Sequence, residues 1–502
     1  MKYDVIIGLE IHAEVKTNSK MFCSCKNDPF NSEPNKNTCP ICLGHPGTLP
    51  RANKKAVEKT IILGLALNCK INQLSKFDRK NYFYPDLPKG YQISQFDMPF
   101  AYQGFLEINK QKIEITRIHL EEDTGKLNHP SGKNYTLIDF NRSGVPLIEL
   151  VTEPMIEDAI TAKIFCQTYQ QILQYLNISE ANMEKGEMRC EANISLQKKG
   201  SWERNDKGSL SGKNGKKLNP KVEIKNINSF KSLEKAINYE IKRQSELLDK
   251  GEKVLAETRG CSDNTGETFS QRIKESSADY RYFPEPDILP IKTSSHLIDE
   301  LKKQIIELPH KKRERFVKQY NISPDMAEVL TNDKDTANWF EMVISELREW
   351  TGAIGQSWEN QEIKLAKMTA NWISGELFKL LNESKTKIRA LKITAENFAE
   401  LISLVYQEKI NSSSGQKILK IIFENGGDPS NIMDKLGLEQ KNEENSVELQ
   451  EIIKKIIVEN NEQFQEYKNG KSALLQFLIG KVMAESHGKY NPKKIIEIIN
   501  SL

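Results

Sequence analysis

Two side chains that can bind a cation lie close together near the start of the chain. From Ile7 to Glu14 apolar and polar residues alternate, which predicts a β-strand with Glu10 and His12 on one face. Side chains two residues apart on a strand are roughly 7 Å apart at the backbone, so these two can converge on one small ion. Hard cations such as Mg²⁺ prefer carboxylate oxygens. A strand face open to water gives the same alternation, and both interpretations stay open at this point.

Two further segments place carboxylates where a cation would be useful. Glu121, Glu122 and Asp123 end a strand-like run just before Gly125, and Glu149 lies inside an apolar run that is typical of a buried strand. An unpaired carboxylate in such a run would cost several kcal/mol, so Glu149 should have a partner. That partner is either a metal ion or the cation of a structural ion pair.

Four cysteines have the spacing of a metal site. Cys23 and Cys25 form one close pair, and Cys39 and Cys42 form a second. Two such pairs suit tetrahedral Zn²⁺, although the first gap is shorter than usual, and His45 could replace one ligand. Four protein ligands leave no open position, so such a zinc would be structural. Free or redox-active thiols are the alternative. The remaining cysteines are single and are expected in the core: Cys69, Cys166, Cys190 and Cys261.

Basic and aromatic residues mark possible contacts with phosphates and bases. Arg189 and Lys225 lie on the polar faces of two predicted strands and are candidate phosphate partners of a nucleotide site. No glycine-rich P-loop is present, so any ATP site is of another type. Residues 79–95 and 279–287 mix rings, prolines and cations, which could line a site for a tRNA acceptor end. Aromatic loops packed on the core would give the same composition.

The composition predicts a polar globular protein of several domains. The chain has 502 residues, 38% of them hydrophobic and 28% charged, which indicates two or three domains. Its apolar runs are far shorter than the ~20 residues that a membrane span needs. No targeting segment precedes the first strand pattern, so we expect a cytoplasmic protein. The net charge of +3 neither requires nor excludes a nucleic-acid partner.

The pattern along the chain predicts an α+β fold. Strand signals, aromatics and most prolines occur before about Pro290, and apolar residues recur at helical spacing after that point. We therefore predict a mixed α/β domain over residues 1–292 and helices in the remainder. The helical part is expected to divide into residues 293–392 and a small bundle over residues 393–502.

Several long motifs, in one order along the chain, resemble the GatB/GatE family, the B subunits of aspartyl/glutamyl-tRNA amidotransferases. The resemblance runs nearly from end to end and includes a C-terminal group of motifs. The motifs are residues 5–12 (VIIGLEIH), 79–86 (RKNYFYPD), 91–97 (YQISQFD), 119–126 (HLEEDTGK), 139–149 (DFNRSGVPLIE), 188–196 (MRCEANISL), 279–287 (DYRYFPEPD), 477–483 (FLIGKVM), 488–489 (GK) and 491–492 (NP).

This resemblance implies an architecture, an activity and partners. The three predicted regions would be a cradle domain for ATP, Mg²⁺ and the acceptor end, a helical domain, and a YqeY-like tail that binds tRNA. The activity would be that of a ligase that forms a carbon–nitrogen bond with glutamine as nitrogen donor. The side-chain carboxylate of Glu-tRNA(Gln) or Asp-tRNA(Asn) would be phosphorylated with ATP and then amidated. The partners would be an amidase (A) subunit, which supplies ammonia, and a small (C) subunit, in a heterotrimer without a membrane.

The resemblance also implies which residues carry the activity. It puts the cation site, which is also the catalytic site, on Glu10, His12, Glu122 and Glu149, and it puts the zinc-type ligands on the four clustered cysteines. Some family members lack those cysteines, which favours a structural zinc. The alternative function is a tRNA-binding scaffold whose metal site is only structural. In the tail, Lys468, Lys471 and Lys481 are candidate contacts to the tRNA backbone, or an ordinary solvated helix face.

Overall fold

A computed structural model describes residues 2–204, 210–213, 217–273, 280–440, 447–486 and 490–502. Asp279, Gly488 and Lys489, which belong to the motifs above, lie outside the described residues. The chain divides into two compact units, Met1–Leu308 and Pro309–Leu502. The predicted α+β fold is confirmed, because the first unit is mixed and the second is helical. The boundaries at residues 292 and 392 stay predictions.

The first unit contains the strands and four helices. Its helices are α1 (Lys54–Ala66), α2 (Ala159–Tyr175), α3 (Phe230–Asp249) and α4 (Ser295–Lys302). Its strands are β1 (Tyr3–Glu14), β2 (Lys70–Ile71), β3 (Leu74–Ser75), β4 (Asp78–Asn81), β5 (Tyr91–Ser94), β6 (Ala101–Ile108), β7 (Gln111–Glu122), β8 (Lys126–Asn128), β9 (Leu137–Asp139), β10 (Pro146–Thr152), β11 (Met188–Lys198), β12 (Trp202–Arg204), β13 (Leu210–Gly212), β14 (Val222–Ile227), β15 (Glu257–Cys261), β16 (Thr268–Ile273), β17 (Phe283–Pro284) and β18 (Ile291–Lys292).

One large sheet organises this unit. Among the described residues it has nine strands in the order β16-β15-β14-β11-β1-β10-β7-β6-β2, and only the β14–β15 pair is parallel. Strand β1 lies in the middle, between β10 and β11. On one face, Ile7, Leu9 and Ile11 pack in a single apolar cluster with residues of α1, α2 and α3. Because side chains alternate along a strand, the opposite face receives Glu10 and His12, as the sequence predicted. We call this opposite side the polar face.

Local signals explain where the helices of this unit begin. Asn53, Asp158 and Ser229 have extended backbones, and their side chains accept hydrogen bonds from the first free N–H groups of α1, α2 and α3. Such caps satisfy donors that have no partner within the helix and are worth about 1 kcal/mol each. The helices are thereby fixed against the apolar face of the sheet, and the polar face is left for other chemistry.

The second unit is helical throughout its described residues. It also contains a π-helical turn at Ile373–Leu377 and a 3₁₀ turn at Ile388–Ala390. Its apolar residues form two clusters, one that extends from Phe316 to Met433 and one from Leu449 to Ile499. None of the described helices of the chain is long and apolar enough to cross a bilayer. The helices are α5 (Pro309–Tyr320), α6 (Pro324–Thr331), α7 (Lys334–Ala353), α8 (Trp358–Trp372), α9 (Phe378–Ser384), α10 (Ala395–Tyr406), α11 (Ser412–Asn425), α12 (Pro429–Leu436), α13 (Val447–Glu459), α14 (Asn461–Lys468), α15 (Ala473–Glu485) and α16 (Pro492–Ser501).

A buried ionic network holds α3 on the end of the large sheet. Glu240 is fully buried and contacts Arg243 at 2.6 Å and Arg259 at 3.5 Å. It also accepts hydrogen bonds from Gln244 at 2.9 Å and from Thr268 at 3.0 Å. A buried carboxylate with this many donors is compensated, whereas its removal would leave the two guanidinium groups to share the single charge of Glu257, which lies 3.4 Å from Arg243 and 2.7 Å from Arg259.

We therefore expect Glu240→Gln to destabilise the first unit by roughly 3 kcal/mol, because it removes a buried charge that Arg259 and Arg243 share. Hydrogen exchange followed by mass spectrometry should detect faster exchange in peptides from α3 and β15. Glu246→Gln on the same helix is the control, since Glu246 is 60% exposed and lies 3.9 Å from exposed Lys242. Equal protection in the two variants would contradict the assigned role of the network.

Candidate functional site

The register of the central strands aligns four polar residues in a row across the polar face. Glu149 on β10 is paired with His12 on β1 on one side and with His119 on β7 on the other. His12 is paired in turn with Arg189 on β11. Residues directly opposite in antiparallel strands have Cα atoms about 4.5–5.5 Å apart and point to the same face. The row therefore places its side chains next to one another on one face without help from any loop.

Glu149 forms the centre of this row. One of its carboxylate oxygens, Oε2, lies 3.3 Å from Nε2 of His12 and 3.2 Å from Nε2 of His119. Glu121 approaches the same two rings, at 3.8 Å from His12 and 3.6 Å from His119. Glu10 lies 4.0 Å from His12 on the open side. We call these five residues the carboxylate–histidine cluster.

Burial and charge act in opposite directions on the protons of this cluster. Burial disfavours a charged His12, but the hydrogen bond and the charge of Glu149 outweigh burial and raise the pKa of His12 to about 9. Burial likewise opposes ionisation of Glu149, yet the charge of His119 and hydrogen bonds from both rings hold its pKa well below the usual range. Burial and the charges of Glu149 and Glu191 raise the pKa of Glu10. The cluster thus concentrates negative charge that is only partly neutralised.

The donor atoms of the cluster fit a divalent cation. Glu10, His12 and Glu149 have ligand atoms within 4.8 Å of one another, and the same holds for His119, Glu121 and Glu149. Nδ1 of His12 and Nδ1 of His119 are buried without a hydrogen-bond partner. Two imidazoles with carboxylates suit first-row divalent ions, and the carboxylate oxygens suit Mg²⁺.

Three of the four residues in the predicted cation site come together, and the fourth does not. Glu122 follows Glu121 directly, so its side chain leaves the strand on the other face, where it is buried. Its carboxylate is 2.7 Å from Nζ of Lys89 and accepts a hydrogen bond from the backbone N–H of Ile93 at 3.0 Å. The structure therefore separates Glu122 from Glu10, His12 and Glu149.

His119 and Glu121 are residues of the cluster that the sequence analysis did not select. A signal for them was present, because His119 and Glu121 alternate with the apolar Ile118 and Leu120. This alternation was hard to recognise because three acidic residues follow one another, and spacing alone does not say which of them shares a face with the histidine. The pairing of β7 with β10 decides this, with Glu149 opposite His119.

The two predicted phosphate partners lie on the polar face but are held in ion pairs. Arg189 donates to Asp123 at 2.9 Å. Nζ of Lys225 is 2.8 Å from Glu191 and 3.5 Å from Glu223. Burial lowers the pKa of Lys225, but the charges of these two carboxylates outweigh burial and raise that pKa. Both side chains thus retain a positive charge near the cluster. A bound phosphate would have to replace their present carboxylate partners.

A third cation and several rings border the cluster. Lys80 on β4 keeps its proton, because the charges of Glu121 and Glu149 outweigh its burial and raise its pKa. Its ammonium lies 5.1 Å from the ring centre of Tyr280. The ring of Tyr282 stacks on that of Phe96 at 4.4 Å.

Tyr280 and Tyr282 belong to the second aromatic stretch found in the sequence, and Phe96 directly follows the first. Strand β4 pairs with both β5 and β17 in a small separate sheet, with Phe283 opposite Arg79. Segments about 200 residues apart in the chain therefore form one surface. Phe83 is 83% exposed and Phe96 59% exposed, so part of this surface is available for stacking.

The four clustered cysteines come together as a set. Their sulfur atoms lie within 4.8 Å of one another, and all four thiols are free. Sulfur atoms around a tetrahedral zinc at about 2.3 Å would be roughly 3.8 Å apart, so only a small contraction is needed. A hydrogen bond from Cys23, helped by the charge of Lys20, lowers the pKa of the Cys42 thiol to about 4. We call Cys23, Cys25, Cys39 and Cys42 the cysteine cluster.

The proton on His12 gives a test of the cluster before any ion is added. In metal-free protein we expect Glu149→Gln to lower the pKa of His12 clearly below about 9, because the neutral amide removes the largest of the charges that outweigh burial. NMR of imidazole nitrogens measures this directly, and the chain has only seven histidines to assign.

The direction of the pKa shift of His12 also predicts how the stability of the fold depends on pH. A raised pKa means that the pair stabilises the fold below the unfolded value near 6.5 and that this contribution is lost as the pH rises through about 9. Glu149→Gln should flatten this part of the stability profile. Glu153→Gln is the control, since Glu153 is on the same chain segment but bonds to Thr116 at 2.6 Å. An unchanged His12 titration in Glu149→Gln would refute the electrostatic description.

Comparison with known proteins assigns the family. The model of the GatB/GatE catalytic domain matches residues 5–299, and that of the GatB domain matches residues 359–502. Similar proteins include the B subunit of the aspartyl/glutamyl-tRNA(Asn/Gln) amidotransferase from Persephonella marina, 42% identical with both chains fully covered. The B subunits of the same name from Clostridium tetani and Thermotoga maritima are 43% and 42% identical, covering all of this chain and 98% and 99% of the relatives. The chain described here therefore belongs to the GatB/GatE family.

Proposed function

We propose that this chain is the B subunit of a tRNA-dependent amidotransferase and that it activates the misacylated amino acid. It transfers phosphate from ATP to the side-chain carboxylate of Glu-tRNA(Gln), Asp-tRNA(Asn) or both, and ammonia then displaces the phosphate to form the amide. The observation that carries this proposal is the carboxylate–histidine cluster centred on Glu149. The full-length similarity to B subunits supports it.

The chemistry explains why a charged cluster, and no nucleophilic side chain, is required. A carboxylate resists attack by ammonia because it is negatively charged and has no good leaving group. ATP supplies a phosphoryl group, which makes an acyl phosphate and ADP, and ammonia then releases phosphate as the leaving group. Phosphoryl transfer depends mainly on positioning and on neutralisation of charge. Carboxylates that hold a cation, together with nearby lysine or arginine side chains, can provide this positioning and neutralisation.

We assign the cation-binding role to Glu10, His12 and Glu149, with His119 and Glu121 completing the set of donors. A bound Mg²⁺ would supply neutralisation of the phosphate charge. Glu122, which the family resemblance included, stays a predicted member only, since its contacts are with Lys89 and Ile93.

The cations near the cluster are assigned to the phosphates. Arg189 and Lys225 lie on the polar face, and we propose that they exchange part of their ion pairing with Asp123 and Glu191 for phosphate oxygens. Lys80 remains near Glu121 and Glu149 and holds positive charge beside the transferred group. Because these charged side chains already lie at the edge of the cluster, they need no large movement to contact a phosphate there.

The remaining parts of the proposal concern macromolecular partners and location. The aromatic surface of β4, β5 and β17 is proposed to stack on unpaired bases at the tRNA acceptor end. In the helical tail, Lys468, Lys471 and Lys481 are proposed contacts to the tRNA backbone. An amidase (A) subunit and a small (C) subunit complete the proposed heterotrimer. The proposed location is the cytoplasm, where aminoacyl-tRNA is used.

We further propose that the cysteine cluster holds one structural Zn²⁺. The four sulfurs are close enough for a tetrahedral ion, and the thiol of Cys42 already favours its charged form. Four thiolate ligands leave no site for substrate, so this zinc would stabilise the loops between β1 and α1 and would take no part in the reaction.

The activation role predicts a specific loss of function. In the assembled complex, Glu10→Gln or Glu149→Gln should reduce formation of Gln-tRNA from Glu-tRNA, ATP, Mg²⁺ and glutamine by at least about 100-fold, because the cation site that stabilises the transferring phosphate is broken. ATP cleavage that depends on Glu-tRNA should fall in parallel, while glutamine hydrolysis by the amidase partner stays measurable.

The matched control for these variants is Glu107→Gln, an exposed glutamate on β6 of the same sheet. It should leave all three rates unchanged. If assembled Glu10→Gln and Glu149→Gln complexes form Gln-tRNA as fast as wild type, the chain is a tRNA-binding scaffold and its metal site is only structural.

The zinc proposal predicts about one zinc ion per purified chain, bound by the four thiolates. Cys39→Ser should remove most of that zinc and lower the melting temperature of the first unit, because zinc binding contributes to folding free energy. Elemental analysis by mass spectrometry and thermal unfolding provide the measurements. Cys261→Ser, which changes a buried cysteine outside the cluster, should keep its zinc. A zinc-free wild-type chain purified without chelators would exclude the site.

A further inference from the structure

A fully buried lysine lies beside the cysteine cluster. The side chain of Lys20 has no exposure to solvent. Its ammonium donates a hydrogen bond to the backbone oxygen of Phe140 at 3.1 Å and approaches Sγ of Cys42 at 3.8 Å. Within the described part of the chain, no aspartate or glutamate forms an ion pair with it. One carbonyl oxygen does not balance a buried positive charge.

Among the described residues, the potentially negative atom in contact with the Lys20 ammonium is the sulfur of Cys42. The nearby carboxylate of Glu122 is already paired with Lys89 at 2.7 Å. Four thiolates around a divalent ion carry a net charge of −2, and this charge would be buried with the cluster. An ammonium at the edge of the cluster reduces that charge, and the cluster in turn compensates the ammonium. Because the ammonium and the thiolate cluster neutralise each other in part, each one makes burial of the other less costly.

The same lysine connects the cluster to the segment that leads into β10. Phe140 precedes Gly144, whose carbonyl accepts a hydrogen bond from the backbone N–H of Met21 at 2.7 Å. At Gly144 φ is +85°, and an added Cβ would lie 3.4 Å from Cβ of Cys42, 3.6 Å from Cδ of Lys20 and 3.8 Å from Oε2 of Glu122. The ammonium is therefore fixed from both sides, by the backbone of this segment and by the cluster.

We propose that Lys20 is the charge partner of the cysteine cluster and that its ammonium sets how tightly the four thiolates hold a divalent, thiophilic cation. This inference rests on the zinc site proposed above and goes beyond it, because it assigns a residue outside the four ligands. Lys20 acts through the ligands and is a positioning residue. Partners of this kind typically change metal affinity by about 10–100-fold.

The test compares full-length wild type with Lys20→Met, which retains the length of the side chain and removes its charge. Zinc affinity is measured by competition with a chromophoric chelator, and melting temperatures are recorded with and without zinc. We expect Lys20→Met to bind zinc at least about 10-fold more weakly, within the usual range for such partners. Its zinc-free form should be as stable as zinc-free wild type or more so, because an uncompensated buried charge has been removed.

Two further variants make the comparison specific. Lys20→Arg keeps the charge and should recover most of the zinc affinity lost in Lys20→Met. Lys26→Met lies in the same loop, where Lys26 is 69% exposed and pairs with Asp28, and it should bind zinc like wild type. In the cobalt-substituted protein, Lys20→Met should shift the sulfur-to-metal charge-transfer bands, whereas Lys26→Met should not.

The outcomes separate the two proposals. A wild-type chain that binds no zinc overturns the zinc site and this inference with it. If wild type binds zinc and a folded Lys20→Met binds it equally well, only the role of Lys20 is overturned. The same conclusion follows if Lys20→Met loses equal stability with and without zinc, or fails to fold in both states, because Lys20 then serves packing alone.

Discussion

The burial of Glu149 in the middle of a sheet is the constraint on which the rest of the first unit depends. A carboxylate with 5% exposure is tolerated only if strong donors surround it, and the antiparallel register supplies them as His12 on one side and His119 on the other. A shift of β10 by one residue would turn Glu149 into the apolar face and away from both histidines. The apolar packing of the sheet on α1, α2 and α3 therefore fixes the chemistry of the polar face as well as the stability of the core.

The charges around the large sheet are balanced in pairs that differ in how firmly they are held. Glu240 is fully buried, and its partners Arg259 and Arg243 are buried and partly buried, so we assign this network to the fold. Arg189 with Asp123 and Lys225 with Glu191 are less enclosed, so these cations can exchange partners at a lower cost. A phosphate-bearing substrate needs such exchangeable cations, and a divalent ion needs the remaining negative charge of the cluster. The difference in burial distinguishes the ion pairs that we assign to the fold from those that we propose to open for phosphate.

The sequence was sufficient wherever a pattern is local. Alternation along β1 identified the face of Glu10 and His12, and the spacing of the cysteines identified a set that the fold assembles. The change from strand to helical periodicity gave the α+β class. The sequence was insufficient where pairing between distant strands decides which side chains meet. Within residues 121–123 only the register of β7 shows that Glu121, and not Glu122, faces Glu149. The pairing of Phe283 with Arg79 joins segments whose relation no local pattern encodes.

The loops between β1 and α1 show why a metal site is a reasonable solution beside such a sheet. Over residues 15–53 the backbone forms turns and an isolated bridge, so few ladder hydrogen bonds hold it in place. Contacts to the segment before β10 help to hold it, such as the hydrogen bond from the backbone N–H of Asn37 to Oδ1 of Asn141 at 2.7 Å, and the zinc proposed for the cysteine cluster would hold it further. Four ligands to one ion constrain a loop as a small apolar core would, without needing large side chains. Since that segment continues into the strand that carries Glu149, ordering of the loop and ordering of the polar face are linked through the backbone.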